Sequence, residues 1–325
     1  ETPIVYNETS THGRVFLVGL ANTLIIGFVG IVLSTIFGLF IGVLRLSNNW
    51  LIKKLAAAYI DIFRNIPVLL QILFWYNIFV KTFPSPRQSI EIFAGIFISN
   101  RGLYMPQPSL NTTTISVIIS IFIAIVGIIF LNKWANKQKE NTGKDFPVFF
   151  ISIGTIITLP IIAYFISGAN FAFDYPVLKG FNFRGGKTIS PEFLALTFAL
   201  VIYTATFIAE AVRSGIEAVS KGQKEAAASI GLTEYQALKF VVLPQAIRIA
   251  IPPTINQYLN LIKNSSLAAA IGYPEIVTVF AGTSLNQVGQ AIEIIAMTML
   301  VYLTISLVVS AILNWFNHKM KIKER

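Results

Sequence analysis

"KEAAASIGLTEYQALKFVVLPQ", residues 224–245, decides how the rest of the chain is read. It is charged and amphipathic, yet it stands between long apolar stretches. Ala226, Ala227 and Ala228 favour a helix, because alanine loses no side-chain entropy there. The predicted helix runs from Gly222 to Ile230, and Gly231 suits the left-handed residue that ends it. Thr233 and Gln236 make a T-x-x-Q capping box that opens a second helix. Pro244 is expected to stop or kink that second helix as the chain turns back. The result is a helical hairpin that carries Lys224 and Glu225 on an exposed knob. Capping by itself supports no more than a well-ordered connecting loop.

Composition fixes the solvent around this hairpin. Of 325 residues 54% are apolar and only 12% are charged, with a mean hydropathy of +0.69. Soluble domains carry about 25% charged residues, so this chain belongs in a bilayer. The net charge of +10 would suggest nucleic acid in a soluble protein. In a membrane protein, cytoplasmic loops rich in Lys and Arg account for it, and no nucleic-acid partner is expected. The absence of cysteine excludes disulfides, thiolate-held zinc and thiol catalysis. The two histidines, His12 and His318, lie near opposite ends of the chain, and no carboxylate pair stands out within a span. An intramembrane enzyme therefore has little to stand on.

A spanning helix needs roughly 20 mostly apolar residues. Val15–Leu44, Thr113–Leu131, Val148–Ser167, Glu192–Val212 and Ala291–Phe316 qualify. Ile66–Phe83 is a short sixth span, fed by a predicted elbow helix from Trp50 to Phe63. Ile249–Ile262 is an interrupted seventh carrying Pro252 and Pro253, expected inside the bundle beside a pathway. One set of alternate connecting segments holds sixteen of the 25 Lys and Arg residues, Lys144, Lys321, Lys323 and Arg325 among them; the other holds eight, and Arg64 falls in or near a span. The positive-inside rule makes the richer set cytoplasmic. This leaves segment 1–14 outside, the hairpin of 213–248 in the cytoplasm and the C-terminus inside. An outside start with no signal peptide implies a further span upstream.

The hairpin residues also carry a resemblance. Glu225-Ala226-Ala227, then Gly231, then Leu243-Pro244 resemble the EAA signature of binding-protein-dependent ABC importer permeases. "YIDIFRNIPVLLQILFWY" (59–76), "IAEAVRSGIEAVSKGQKEAAASIGL" (208–232) and "LPQAIRIAIPPTINQYLNLIKNSSLAAAIGYPEI" (243–276) are similar to permeases for polar amino acids. "PSPRQSI" (84–90) and "NRGLYMPQP" (100–108) are similar to the Q-type subunit of general L-amino acid transporters. Much of the family has Gly-Thr-Pro at Asn65-Ile66-Pro67 and Lys-Asp-Thr-Ser at Lys263-Asn264-Ser265-Ser266, departures that fit this subgroup.

The resemblance implies an all-α membrane bundle of the type I ABC importer fold, with seven spans here and an eighth upstream. Its core spans map to 15–46, 52–83, 192–218, 246–282 and 290–316. Residues 84–190 are then an insertion with two extra spans, and 191–325 form the permease core with the coupling loop. It also implies that Gly222, Lys224, Glu225, Ala226, Ala227, Gly231, Leu243 and Pro244 belong to the element that docks on a cytoplasmic ATPase. The implied partners are two ATPase chains, a paralogous permease in a heterodimer, a periplasmic amino-acid-binding protein and membrane lipid. ATP and magnesium would be bound by the ATPase, with no cofactor in this chain. The implied place is the bacterial inner membrane.

Polar groups within spans usually face a protein interior or a cavity. Asp61 with Arg64, and Glu210 with Arg213, have the i, i+3 spacing of structural ion pairs, with substrate contact as the other reading. Gln71 projects from a helix that is otherwise apolar. Asn256, Gln257, Asn260, Lys263 and Asn264 recur at spacings of three and four and form a polar stripe. Amides offer both donors and acceptors to an amino acid zwitterion, and Lys263 suits its carboxylate. The competing reading is that these amides only bridge helices. Gly38-x-x-x-Gly42 allows close helix packing. "FRGGKT" (183–188) imitates a phosphate loop but has Phe181 where the first glycine belongs. The Asn7-Glu8-Thr9 and Asn111-Thr112-Thr113 sequons are set aside, because the family is largely prokaryotic. The leading expectation is a permease subunit of an ATP-driven L-amino acid importer. An ATP-independent secondary transporter or channel is the alternative; it lacks a visible inverted repeat and leaves the hairpin without a purpose.

Overall fold

A computed structural model describes Ile4 and residues 10–143, 146–170 and 172–320. Most of segment 1–14 with its sequon, Lys144, Lys321, Lys323, Arg325 and the side chain of His318 lie outside the described residues. The chain divides into two compact units, one of residues 1–83, 100–102 and 189–325, the other of residues 84–99 and 103–188.

Helix α1 (His12–Arg45) opens the first unit and is 34 residues long, so it extends roughly 50 Å. Helices α2 (Trp50–Asn65) and α3 (Val68–Lys81) meet at a bend of 102°. Pro67 causes the break: it forces Ile66 out of the helical region, to φ −89° and ψ 128°. The elbow expected before the sixth span is therefore present as α2.

The second unit carries α4 (Thr112–Thr142) and α5 (Val148–Ile166), which pack on each other. It also holds strands that hydropathy did not announce. These are β1 (Ile90–Phe93), β2 (Ile96–Ser99), β3 (Gly102–Met105), β4 (Gln107–Pro108), β5 (Phe173–Asp174), β6 (Val177–Lys179), β7 (Asn182–Arg184) and β8 (Lys187–Ile189). They form a sheet of order β1-β2-β3-β8 and two ribbons, β4-β5 and β6-β7. The "FRGGKT" segment makes the β7–β8 turn. A strand follows it, not the helix N-terminus a phosphate loop requires.

The first unit resumes with α6 (Pro191–Glu217), begun by Ser190, whose Oγ accepts from Phe193 N at 3.2 Å. It continues through α7 (Lys221–Ser229), α8 (Glu234–Ala237) and a π-helical turn (Leu238–Val242) into α9 (Leu243–Asn264). A 3₁₀ segment (Ser265–Ile271), a π-helical segment (Val277–Ser284) and α10 (Leu285–Val288) lead to α11 (Ala291–Met320). Among the described residues six helical stretches are long and apolar enough to cross a membrane, or seven if the bent α2–α3 pair counts as one.

Neither a stop at Pro244 nor an interruption at Pro252 and Pro253 is found. Pro244 does not end the second hairpin helix; Glu234–Ile271 runs on as one 38-residue candidate span. Pro244 falls just after the π-helical turn, within the continuous helical stretch. The span is also not interrupted at Pro252 and Pro253, because α9 continues through both. Their rings are exposed, and Thr254 Oγ1 donates to Ala250 O at 2.8 Å beside them.

The core of the first unit is α6, which lies against α1, α3 and α9. In a bilayer the apolar surface of one helix gains little by leaving lipid for another helix, so close contact decides the packing. Gly38 and Gly42 provide it. A Cβ at Gly38 would sit 2.7 Å from Ile208 Cβ, and one at Gly42 would sit 2.9 Å from Val212 Cβ. Ile26, Ile72, Leu196, Leu200, Leu261 and Tyr273 fill the buried centre.

Candidate coupling and translocation sites

The hairpin is built from local rules. Gly231 has φ +84°, its N–H reaches Ala228 O at 2.9 Å, and Leu232 N–H reaches Ala227 O at 3.1 Å. That pair of bonds is a Schellman motif closing α7. The capping box follows, with Gln236 N–H on Thr233 Oγ1 at 3.3 Å and Thr233 N–H on Gln236 Oε1 at 2.9 Å. Within α7 only Ala227 is buried; Gly222, Lys224, Glu225 and Ala226 are exposed. Gly231, Leu243 and Pro244 are exposed too. Val219, Val242 and Ala246 form a small core beneath the hairpin. A groove of about 730 Å³ beside α7 is lined by Lys224, Glu225, Ala228, Leu232, Tyr235 and Leu238 among others. The helix is anchored at its base and exposed over nearly all its surface.

The expected ion pairs divide. Arg213 Nε donates to both Glu210 carboxylate oxygens at 3.2 Å, and Arg213 also pairs with Glu217. Asp61 and Arg64 form no ion pair among the described residues; the Arg64 guanidinium lies 5.3 Å from the Phe207 ring centroid. An exposed pair on one helix is worth only about 0.2–0.5 kcal/mol. A cation over an aromatic ring offers about 0.5–1 kcal/mol, enough to take Arg64 across to α6.

Gln71 does not project into a pathway. It stands in the first turn of α3, 3% exposed, and Nε2 donates to Phe63 O at 2.8 Å and Ile66 O at 3.0 Å. The Phe63 carbonyl would ordinarily accept from residue 67, which is a proline without an N–H. Gln71 supplies the missing donor and so holds the bend.

The polar stripe lies on α9. The opposite face of that helix meets α1, with the Tyr258 and Thr35 hydroxyls 2.7 Å apart. Pro252, Pro253, Asn256, Asn260 and Lys263 are exposed, while Gln257 and Asn264 are half-buried. The span is thus not enclosed by this chain's own bundle as expected; its polar face is uncovered. Lys263 also edges a cavity of about 610 Å³ with Ser266, Thr298, Tyr302 and Ser306.

Glu275 was not singled out from the sequence. It is wholly buried and accepts from Val277 N–H at 2.9 Å, Thr278 N–H at 2.8 Å and Tyr302 OH at 2.9 Å. It caps the π-helical segment and ties it to α11. The signal was available: a lone carboxylate after proline, at the head of an apolar run.

Long apolar helices and one bent pair packed on a central helix, with a capped hairpin left exposed between two of them, make a polytopic membrane bundle, and the comparisons make it a transport permease. The chain belongs to the family described as "Binding-protein-dependent transport system inner membrane component", whose profile matches residues 30–322. It is 51% identical over 322 residues to the putative amino-acid ABC transporter permease protein YhdX of Escherichia coli (strain K12), covering 99% of this chain and 82% of that protein. It is 48% identical over 322 residues to the general L-amino acid transport system permease protein AapQ of Rhizobium johnstonii, covering 99% and 80%. Among solved structures it is similar to an amino acid ABC transporter crystallised with histidines, with a TM-score of 0.56 at 21% identity over 95% of each chain. The MetNI methionine ABC transporter gives a TM-score of 0.52 at 14% identity, covering 95% of this chain and 97% of that one. At these identities the structural likeness is one of fold.

Proposed function

We propose that this chain is the permease subunit of an ATP-driven, binding-protein-dependent importer of L-amino acids. Exposure of α7 is the observation that carries the reading: only Ala227 of that helix is buried. Family membership and the amino-acid permeases among the relatives support it. Two ATPase chains grip α7 of this subunit and of a paralogous partner, and they hold the ATP and magnesium. The uncovered polar face of α9 meets that partner permease, and Asn256, Asn260 and Lys263 line the route between them.

Lysine and arginine set the orientation, sixteen in one set of connecting segments against eight in the other. The hairpin and the C-terminus are cytoplasmic, and the strands of the second unit lie outside. ATP binds the closed state of the ATPases more tightly than the open one. That difference draws the coupling helices together and swings the spans from inward- to outward-facing. A zwitterion delivered from outside meets the Lys263 ammonium with its carboxylate, a charge-assisted hydrogen bond that stays strong away from bulk water.

Uptake by the purified assembly in proteoliposomes tests the coupling. Valine at position 231 cannot take φ +84° without strain. Gly231→Val and Glu225→Lys should each abolish ATP-driven amino acid uptake, with membrane insertion unchanged. Full uptake by both variants would reject α7 as the coupling element.

A further inference from the structure

The second unit carries an exposed surface that the transport cycle described above does not use. Its centre is the β6–β7 ribbon, whose register pairs Val177 with Arg184 and Lys179 with Asn182. Side chains opposite one another on a ribbon share a face, so Val177, Lys179, Asn182 and Arg184 stand together. All four are exposed. Phe181, at the turn, is 70% exposed. A two-stranded ribbon is marginal by itself; this one is braced by side chains of its own unit. Phe183 stacks on Phe97 at 4.9 Å and meets Tyr104 at 4.6 Å, and Tyr104 OH donates to Asn182 Oδ1 at 2.7 Å. Arg87 Nε donates to Gly180 O at 3.2 Å, and its guanidinium lies 3.9 Å from the Phe181 ring centroid. The ribbon is a stiff, presented edge.

Its charge is one-sided. Segments 84–111 and 167–190 hold five cations against two carboxylates. Both carboxylates are engaged by turns of their own unit: Gly95 N–H donates to Glu91 Oε1 at 3.0 Å and Gly186 N–H to Asp174 Oδ2 at 2.9 Å. Lys179 and Arg184 form no ion pair among the described residues. Cations on the outer side run against the bias that orients the rest of the chain. A rigid face of apolar and cationic groups fits an acidic protein surface, and charge complementarity of that kind speeds encounter and fixes register.

We infer that the β6–β7 ribbon, through Val177, Lys179, Phe181 and Arg184, is a docking surface for an acidic face of the soluble amino-acid-binding protein. This rests on the importer reading and its orientation. The family's dependence on a binding protein calls for such a landing surface, and the ribbon supplies one of definite sign.

The test uses the intact transporter assembly in phosphatidylcholine nanodiscs, with the binding protein of the same system as the probe. Affinity is read at low and at raised salt for the wild type, for Lys179→Glu with Arg184→Glu, and for Phe181→Ser. Charge reversal should weaken binding about tenfold and flatten its salt dependence. Phe181→Ser should weaken it at both salts, and ATP hydrolysis without binding protein should stay unchanged in every variant. Unchanged affinity in the variants overturns the docking surface while the importer reading stands. A charge-reversed assembly that differs from the wild type only in nanodiscs containing phosphatidylglycerol makes the ribbon a lipid contact and overturns it too. A wild-type assembly that binds no binding protein overturns the importer reading itself.

Discussion

Gln71 shows how a single residue can look like one thing in sequence and act as another. An amide in an apolar run reads as a pathway residue. In the structure it donates to the carbonyl that Pro67 leaves without a partner. The misreading has a physical source: the break at Pro67 moves Gln71 from mid-span to a first turn, and only then does an orphan carbonyl lie within reach. Gly231, Thr233 and Gln236 were legible because caps and turns are settled within a few residues. Arg64 was not, because Phe207 lies on another helix, far along the chain. Removing the Gln71 donor should cost about 1–3 kcal/mol, the penalty of an unsatisfied buried acceptor. Gln71→Met keeps the volume and loses the donor, so its thermal midpoint in detergent should fall. A midpoint equal to that of wild type would mean that the amide does not hold the bend.

At the scale of elements, the membrane helices were legible because hydropathy is summed over about 20 residues and tolerates local error. Prolines signal less than a local rule suggests. Pro244 and Pro252–Pro253 all lie within a helical stretch, since a bundle accommodates the missing bonds where a short peptide does not. The strands of the second unit are two to four residues long, too short for period-two alternation to register. The Gly38-x-x-x-Gly42 pattern was read as packing, and the α1–α6 contact realises it. Gly38→Ala places a methyl 2.7 Å from Ile208 Cβ, while Gly127→Ala meets nothing within 4 Å. The first should destabilise the purified protein by about 1–3 kcal/mol and the second should be neutral. Equal unfolding midpoints for the two would remove close packing at Gly38 as a determinant of the fold.

The whole molecule has two features that a self-contained protein would not keep: the bare helix α7 and the uncovered polar face of α9. Composition points to a membrane and the EAA resemblance of the hairpin to a partner, so the first feature was legible. That the polar face lies uncovered was not legible, because a stripe at spacings of three and four says which residues share a face and nothing about what covers it. Glu275 escaped for a related reason: Val277 and Thr278 are its neighbours in sequence, but Tyr302 reaches it only when α11 folds back.

Coupling through α7, as proposed, places an ATPase within reach of that helix. The chain contains no cysteine, so an introduced thiol is the single labelled position on it. The measurement is crosslinking of Ala226→Cys, labelled with a photoactivatable maleimide in native membranes, followed by identification of the captured chain. One dominant product is expected, an ATPase subunit, in a yield that changes when ATP is added. Efficient labelling with no ATPase captured, in membranes that still take up amino acids, would contradict it.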